Sequence, residues 1–183
     1  MYRINENPMP RFPQGRPLAE DEGKWSVAHM KSRREKIFAL ELADEGIGYY
    51  LPLYEKRTRR RDNGKIRKSV MPLFPGYVAL ALGNRAFDSL FASRHAANIL
   101  EVVDQKAFVK ELSQIHRILE GNLPFEKHEK LFPGNKVRVR LGPFAGIEGV
   151  IIQKGKRTHL ALSVEMFGQA ISLNIEKSNL VRI

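Results

Sequence analysis

The sequence predicts an α+β protein in which helices cover an antiparallel-rich sheet, followed by a small all-β barrel. Strand-like and helix-like segments alternate as far as about residue 120, which favours the first architecture. From about residue 132 onward only the two-residue periodicity of strands is present. With 183 residues, 43% of them hydrophobic, the chain has enough apolar material for two small cores.

Composition excludes several classes of protein. The chain has no cysteine, so a disulfide framework, a thiolate metal site and a cysteine nucleophile are excluded. It has neither the run of about 18 apolar residues that a membrane span needs nor the apolar core of a secretory signal, so a cytoplasmic location without membrane contact is expected. The five histidines are scattered without metal or nucleophile spacing, which predicts a protein that is not an enzyme and has no cofactor or metal.

The formal net charge of +11 favours contact with nucleic acid or another anionic partner. The alternative is a soluble protein that is merely basic. Because the charge is clustered along the chain, we favour the first interpretation.

The N-terminal elements follow in order. Residues 1–23 contain four prolines between residues 8 and 17 and few large apolar side chains, which predicts a disordered or extended arm. Residues 25–29 alternate as a short strand. Ser32 is the expected N-cap of the first helix, with Glu35 at the capping-box position, and Gly46 is its expected C-terminal stop.

The densest charge run lies between residues 55 and 68, where eight residues are basic and two are acidic. It follows a strand predicted over residues 47–54. In its middle, Asp62-Asn63-Gly64 is a strong signal for a hairpin turn. We interpret this segment as a projecting cationic hairpin, the alternative being a solvated loop.

Next come a wholly apolar strand at 78–82, a short helix at 85–93, a strand at 99–103 and a helix at 106–120. The last helix has Phe108, Leu112, Ile115 and Leu119 at helical spacing, which predicts one buried face. The polar segment 121–131 is typical of a linker.

The barrel segment, residues 132–183, opens with Val137 and Val139 alternating with basic residues. A turn with glycines at 142 and 146 follows, and Gly149 lies inside the next strand, where a glycine marks a bulge or a tight corner. Two further alternating strands are joined by the turn Phe167-Gly168-Gln169. This pattern closely resembles the KOW motif of small SH3-like barrels.

The whole chain from Trp25 resembles the NusG family of transcription elongation factors. The family's N-terminal domain, NGN, would cover residues 24–120, and its marks are Leu51-Pro52 and Leu73-Phe74-Pro75-Gly76-Tyr77-Val78. The KOW domain would follow after the short linker. Only the first two dozen residues lie outside the resemblance.

The resemblance implies a monomeric factor whose NGN domain binds the clamp helices of RNA polymerase and suppresses pausing and termination. By this resemblance the polymerase-binding residues are Phe74, Pro75 and Tyr77, unless the two aromatics are ordinary core residues. The start of the first helix would lie near upstream and non-template DNA, and we expect the hairpin to reach DNA as well. These nucleic-acid-binding residues are Lys31, Arg33, Arg34, Lys36, Arg59, Arg60 and Arg61. The helix cations could equally form a solvated face.

The KOW domain of the family binds ribosomal protein NusE or the termination factor Rho. The residues expected to make that contact are Phe144, Ile147 and Phe167, with barrel packing as the alternative. Ser26, Ala79 and Gln169 depart from the family pattern, which favours a specialised paralogue of the RfaH or polysaccharide-operon kind over the housekeeping factor. Two other functions stay open: a Rho-recruiting termination factor of the same family, and a KOW-type protein that binds the ribosome or RNA.

Overall fold

The computed structural model describes residues 6–82 and 95–183. The chain divides into two compact units, Met1–Val103 and Asp104–Ile183. Within the described ranges there are two α-helices and thirteen strands, and every strand pairing is antiparallel, so the predicted α+β class is confirmed. The helix predicted at 85–93 lies outside the described residues.

The first unit contains one helix and two sheets in the part that the structure describes. Its elements are β1 (Arg11–Phe12), β2 (Lys24–Met30), α1 (Glu35–Asp44), β3 (Gly48–Tyr50), β4 (Leu53–Arg59), β5 (Ile66–Pro72), β6 (Tyr77–Leu82) and β7 (Ala96–Glu101). Five of these strands form a sheet in the order β1-β3-β6-β2-β7. Strand β6 is central and buried, as its apolar run predicted.

Helix α1 packs its apolar face, including Phe38 and Leu42, on this sheet. Its end confirms the glycine stop: Gly46 has a φ of +70°, and its N–H donates to the carbonyl of Ala43 at 3.0 Å. Its start differs from the prediction. The helix begins at Glu35, and the N-cap position is Arg34, which makes no side-chain capping bond.

The described part of the N-terminal arm, residues 6–23, contains a short strand and specific contacts, unlike a disordered segment. Strand β1 pairs with β3 as the edge of the five-stranded sheet, a position that tolerates the neighbouring prolines. Arg11 and Asp21 form an ion pair at 3.2 Å, with only 7% and 1% of their side chains exposed. The indole N–H of Trp25 donates to the carbonyl of the buried Leu18. A few specific contacts thus order a segment whose average composition indicates disorder.

The strand predicted over 47–54 is divided into β3 and β4. At the division, the N–H of Leu51 donates to Pro10 of the arm, and the carbonyl of Pro52 accepts from Leu73. Strands β4 and β5 then pair from Leu53↔Pro72 to Arg59↔Ile66. The predicted hairpin is therefore confirmed, and we call residues 53–72 the basic hairpin.

The second unit contains α2 (Gln105–Glu120), β8 (Glu126–His128), β9 (Lys136–Val139), β10 (Glu148–Lys154), β11 (Arg157–Val164), β12 (Gln169–Asn174) and β13 (Leu180–Arg182). Its six strands follow the order β13-β9-β10-β11-β12-β8. Helix α2 packs against β11 and belongs to this unit, although the sequence placed it in the N-terminal domain. Ile118, rather than Leu119, completes its buried face.

The segment predicted as a linker, 121–131, contains β8, which pairs with β12 at the sheet edge. The expected alternation at Val137 and Val139 is confirmed, since both are buried between exposed basic neighbours. Gly149 marks a close backbone approach, because a Cβ there would lie 2.3 Å from the carbonyl oxygen of Ala161 on β11.

Candidate functional site

The turn at residues 75–77, which we call the docking turn, is held from two sides. The N–H of Gly76 donates to the carboxylate of Glu35 at 2.8 Å, and its carbonyl accepts the N–H of Met30 at 2.8 Å. Gly76 has a φ of +87°, a conformation that favours glycine. The turn is thereby fixed to the start of α1 and the end of β2.

The three residues assigned to polymerase binding differ in accessibility. Pro75 is exposed, and Tyr77 is half-buried with its ring stacked on His29 at a centroid distance of 5.2 Å. Phe74 is only 2% exposed. The alternative interpretation therefore applies to Phe74, whose side chain is a core residue rather than a surface one.

A groove of about 900 Å³ lies beside the docking turn. It is formed by the arm, the start of α1, strand β5 and the docking turn, and we call it the basic groove. The residues lining it are Asn7, Ser32, Arg33, Glu35, Lys36, Arg67, Lys68, Ser69, Val70, Met71, Pro72, Pro75 and Gly76. One concave surface thus joins cations of the first helix to cations of the hairpin, which are far apart in the sequence.

The four predicted helix cations have different surroundings. Lys31, Arg33 and Arg34 are exposed. Lys36 is half-buried, and its ammonium donates to Oδ1 of Asn7 at 2.7 Å and to the carbonyl of Val70 at 2.6 Å. Burial lowers the pKa of Lys36, an effect that the nearby Glu35 partly offsets.

The three hairpin arginines lie at the other end of the basic hairpin. Arg59, Arg60 and Arg61 are exposed at or beside its turn and are not among the groove residues. Arg59 donates to the carbonyl of Gly64, and Arg60 forms an exposed ion pair with Asp62 at 3.2 Å. The structure therefore separates them from the cations that it brings together in the groove.

The residues predicted to bind a partner in the second unit lie beside helix α2. Ile147 is fully buried, and Phe167 is 4% exposed with its ring edge-on to Phe108 of α2. Phe144 is half-buried, and its ring lies so close to Gly121, at the end of α2, that a Cβ there would be 2.7 Å from it. Packing is therefore the interpretation that fits Ile147 and Phe167, and Phe144 is the accessible member of the three.

Polar contacts fix α2 along this edge. Arg117 donates to the carbonyls of Pro143 and Ala145, both at 3.3 Å. Hydrogen bonds from Lys110 of α2 and from Arg138 of β9 lower the pKa of the Glu148 carboxyl. The helix thus covers the loop and strand ends to which the sequence assigned the partner contact.

Several residues of these sites were missed at the sequence level. Glu35 was assigned to a capping box, whereas its carboxylate binds a backbone N–H that is 41 positions away. Asn7 lies in the arm predicted to be disordered. Burial raises the pKa of Glu111 on α2 to about 7, although the hydrogen bond from the N–H of Glu165 opposes that shift. No local pattern signals these roles.

Two further observations concern membranes and metal ions. Neither of the described helices has the length and apolar character of a membrane span. Within residues 6–82 and 95–183, His, Asp and Glu side chains do not gather into a group of three or more that could hold a metal ion.

Comparison with known proteins gives a consistent family. The family model described as "Transcription termination factor nusG" matches residues 23–138. The "Transcription termination/antitermination protein NusG" of Pseudomonas aeruginosa is 30% identical over 175 residues, which cover 87% of this chain and 98% of the relative. The protein of the same name from Lactococcus lactis is 25% identical over 182 residues, which cover 94% and 95%. That from Pasteurella multocida is 31% identical over 126 residues, which cover 63% and 67%.

Proposed function

The chain belongs to the NusG family, and from that premise we propose that it is a cytoplasmic transcription elongation factor that binds RNA polymerase. The observation that carries the proposal is the family match over residues 23–138, which includes the docking turn. The relatives are named for both transcription termination and antitermination. We propose antitermination, with suppression of pausing, as the output of this chain.

The first unit, as the NGN domain, would dock on the clamp helices of the polymerase through the docking turn. Pro75 is exposed there and Tyr77 is half-exposed, while the bonds from Glu35 and Met30 fix the backbone between them. A surface that is ordered before binding loses little conformational entropy on association. A ligand that binds only the closed clamp shifts the polymerase toward that active state.

Upstream DNA and the non-template strand are the proposed nucleic-acid partners. The exposed cations just before α1 and those of the basic hairpin would attract their phosphates without reading sequence. The binding would weaken as salt rises, because each neutralised phosphate releases counterions.

The second unit, as the KOW domain, would contact NusE or Rho. Phe144 is the proposed contact residue, because it is half-exposed whereas Ile147 and Phe167 are buried within the second unit. Recruitment of Rho would instead favour termination, and transcription through a terminator with and without Rho separates the two outputs.

Recovery of polymerase from cell extract tests the proposal. We expect tagged protein to retain core polymerase without ribosomes, and a folded Tyr77→Ala variant to retain at least several-fold less. Recovery of ribosomes without polymerase would favour the alternative function, binding of the ribosome or RNA through the KOW domain.

A further inference from the structure

One face of the six-stranded sheet in the second unit gathers charged side chains from strands that are distant in the sequence. Strand register places Lys154 and Arg157 opposite each other beside the turn between β10 and β11. Pairing across β11 and β12 places Glu126 and His128 of β8 on the same face, because alternate residues of a strand share a face. The ammonium of Lys154 donates to the carboxylate of Glu126 at 2.6 Å, so β8 lies close to the end of β10 on this face.

The segment that follows β8 crosses the same face. The ring of Phe132 lies edge-on to that of His128, with 4.8 Å between the centroids. Gly134 lies so close to β10 that a Cβ on it would be 2.8 Å from the side chain of Val150. The ammonium of Lys130 lies 5.1 Å from the centroid of the Phe132 ring, within the range at which a cation is attracted to an aromatic face. A cation and an aromatic ring are thereby added to the charged surface.

We call this surface the barrel patch, and it consists of Glu126, His128, Lys130, Phe132, Lys154, Lys156 and Arg157. Its lysine and arginine side chains are exposed, and Phe132 is half-exposed. Residues 126–132 and 154–157 contain five basic and two acidic residues, so the surroundings are positive. The ion pair between Lys154 and Glu126 has side chains that are 60% and 44% exposed, and it is therefore weak enough for a phosphate to compete with the carboxylate.

The positive potential of the barrel patch acts on His128. Burial lowers the pKa of His128. Lys154, Lys130 and His159 lower that pKa further, and Glu126 opposes them. Cations from β10 and from the segment after β8 are therefore near enough to this ring to disfavour another positive charge. The same potential attracts an anion.

A half-exposed aromatic ring among cations is the combination that single-stranded nucleic acid needs. Bases stack on aromatic rings with little regard to sequence, and the neighbouring cations contact the phosphates. A double helix keeps its bases stacked inside and offers none to the ring of Phe132. An acidic peptide would pair with the cations but need not carry a flat group for that ring. The barrel patch therefore fits a single strand better than either alternative.

We propose that the barrel patch binds single-stranded RNA, with a base on Phe132 and phosphates on Lys154 and Arg157. Lys130, at the face of the Phe132 ring, adds a third cation. The choice of RNA over DNA rests on the proposed function, because the transcript is the single strand that a polymerase releases. The site is distinct from the proposed protein contact at Phe144, which lies in the loop before β10, whereas the patch includes the turn after β10.

Fluorescence polarisation of a labelled oligouridylate of about 12 nucleotides, titrated with the full chain at several salt concentrations, tests the proposal. Arg157→Gln removes one cation of the barrel patch. We expect it to weaken binding several-fold and to reduce the slope of log K against log salt by about 0.7, the value for one phosphate contact. Arg140→Gln is the matched control, because Arg140 is exposed in the same unit but lies beyond the end of β9 that pairs with the start of β10. It should leave the affinity and the slope at the wild-type values. Wild-type affinity and slope for Arg157→Gln would overturn the barrel patch.

Phe132→Leu separates stacking from charge. Leucine keeps an apolar side chain against His128 but cannot stack on a base. We expect binding to weaken about tenfold, as for the loss of one stacked base, while the salt slope stays at the wild-type value. Wild-type affinity for this variant would overturn the assignment of a base to Phe132. Melting temperatures equal to that of the wild type exclude misfolding, and Arg157→Gln, at an exposed position, gives the result if Phe132→Leu does not fold.

Because cations of the first unit also attract RNA, the position of the strand is measured separately. Oligouridylate containing 4-thiouridine is cross-linked to the full chain by light, and the modified peptides are identified by mass spectrometry. We expect attachment within residues 128–132 or 154–157. Attachment confined to the first unit would overturn the barrel patch.

Two comparisons distinguish the other possible failures. If Arg157→Gln weakens the binding of an oligothymidylate as much as that of the oligouridylate, the choice of RNA over DNA is overturned. If Arg157→Gln loses core polymerase but keeps the oligouridylate, the patch binds an acidic protein surface, and the RNA proposal is overturned while the proposed function stands. If the RNA results are as expected but the wild type binds no polymerase, the barrel patch stands and the proposed function fails.

Discussion

Replacement of Glu35 by alanine is the perturbation whose effect follows most directly from the structure. The side chain is buried, with 6% of the residue exposed, and its carboxylate accepts the N–H of Gly76 at 2.8 Å. Alanine cannot accept that bond, so the docking turn loses its link to α1. The contact from Gly76 to Met30 remains and keeps the loss local.

The size of the effect can be estimated from this geometry. A hydrogen bond to a charged group contributes about 1.5–3 kcal/mol. Because Gly76 is half-exposed, water can partly replace the carboxylate, and we expect a loss of about 2 kcal/mol. With a urea m-value of about 2 kcal/mol/M, the unfolding midpoint falls by about 1 M.

Urea unfolding followed by tryptophan fluorescence is the appropriate assay. Trp25 is the single tryptophan of the chain and is 3% exposed in the core of the first unit, so its signal reports that unit. Glu35→Gln keeps an acceptor oxygen, so its loss of unfolding free energy should be less than half that of Glu35→Ala. Glu45→Ala, at an exposed position at the other end of the same helix, is the control. If Glu35→Ala lowers the midpoint no more than Glu45→Ala does, the bond to Gly76 does not hold the turn.

Three more predictions concern stability. Gly149→Ala should destabilise the second unit by more than about 2 kcal/mol, because its Cβ would lie 2.3 Å from a backbone oxygen of β11. Gly155→Ala is the control: its Cβ would meet open space, so only backbone strain of about 1 kcal/mol is expected. Circular-dichroism melts measure both variants. Arg11→Ala should cost about 3 kcal/mol by tryptophan fluorescence, because it leaves the buried Asp21 carboxylate without its partner. Burial raises the pKa of Glu111 to about 7, so the stability of the second unit should fall as pH rises from about 4.5 to 7.

The sign of the Glu111 prediction follows from linkage. The unfolded chain releases the proton near pH 4.5 and the folded chain only near pH 7, so ionisation favours unfolding between these values. Glu111→Gln removes this dependence while keeping an acceptor for the N–H of Glu165. After allowance for solvent screening, the free energy of unfolding of the variant should rise by about 1 kcal/mol relative to that of the wild type between pH 5 and pH 8. An identical pH profile for both proteins would contradict the assignment.

Glu148, Arg11 and Gly76 show which parts of the fold local sequence does not determine. Their partners lie 38, 10 and 41 positions away, so only the tertiary fold brings them together. By contrast, the hairpin turn at Asn63-Gly64 and the stop at Gly46 depend on backbone conformations that those residues favour locally, and both were predicted. The burial of Val137 and Val139 was also predictable, because successive side chains of a strand point to opposite faces of the sheet.

Helix α2 illustrates a different limit. Its amphipathic face was predictable from Phe108, Leu112 and Ile115, because burial imposes the helical period on the sequence. The helical spacing of these apolar residues does not indicate which sheet or helix they pack against. The family resemblance assigned α2 to the first domain, whereas the structure places it with the second unit. For the candidate site, the pattern identified Arg33 and Lys36, but the hairpin arginines that it assigned, Arg59 to Arg61, lie outside the groove.

Transcription by purified core polymerase on a template with a defined pause site tests the central claim most directly. We expect the wild-type protein to shorten the dwell time at the pause and to migrate with the polymerase. A folded Tyr77→Ala variant should need about tenfold more protein for the same effect, whereas Tyr54→Ala, at the base of the basic hairpin, should behave as the wild type. A wild-type protein that neither migrates with core polymerase nor alters the dwell time would contradict the account.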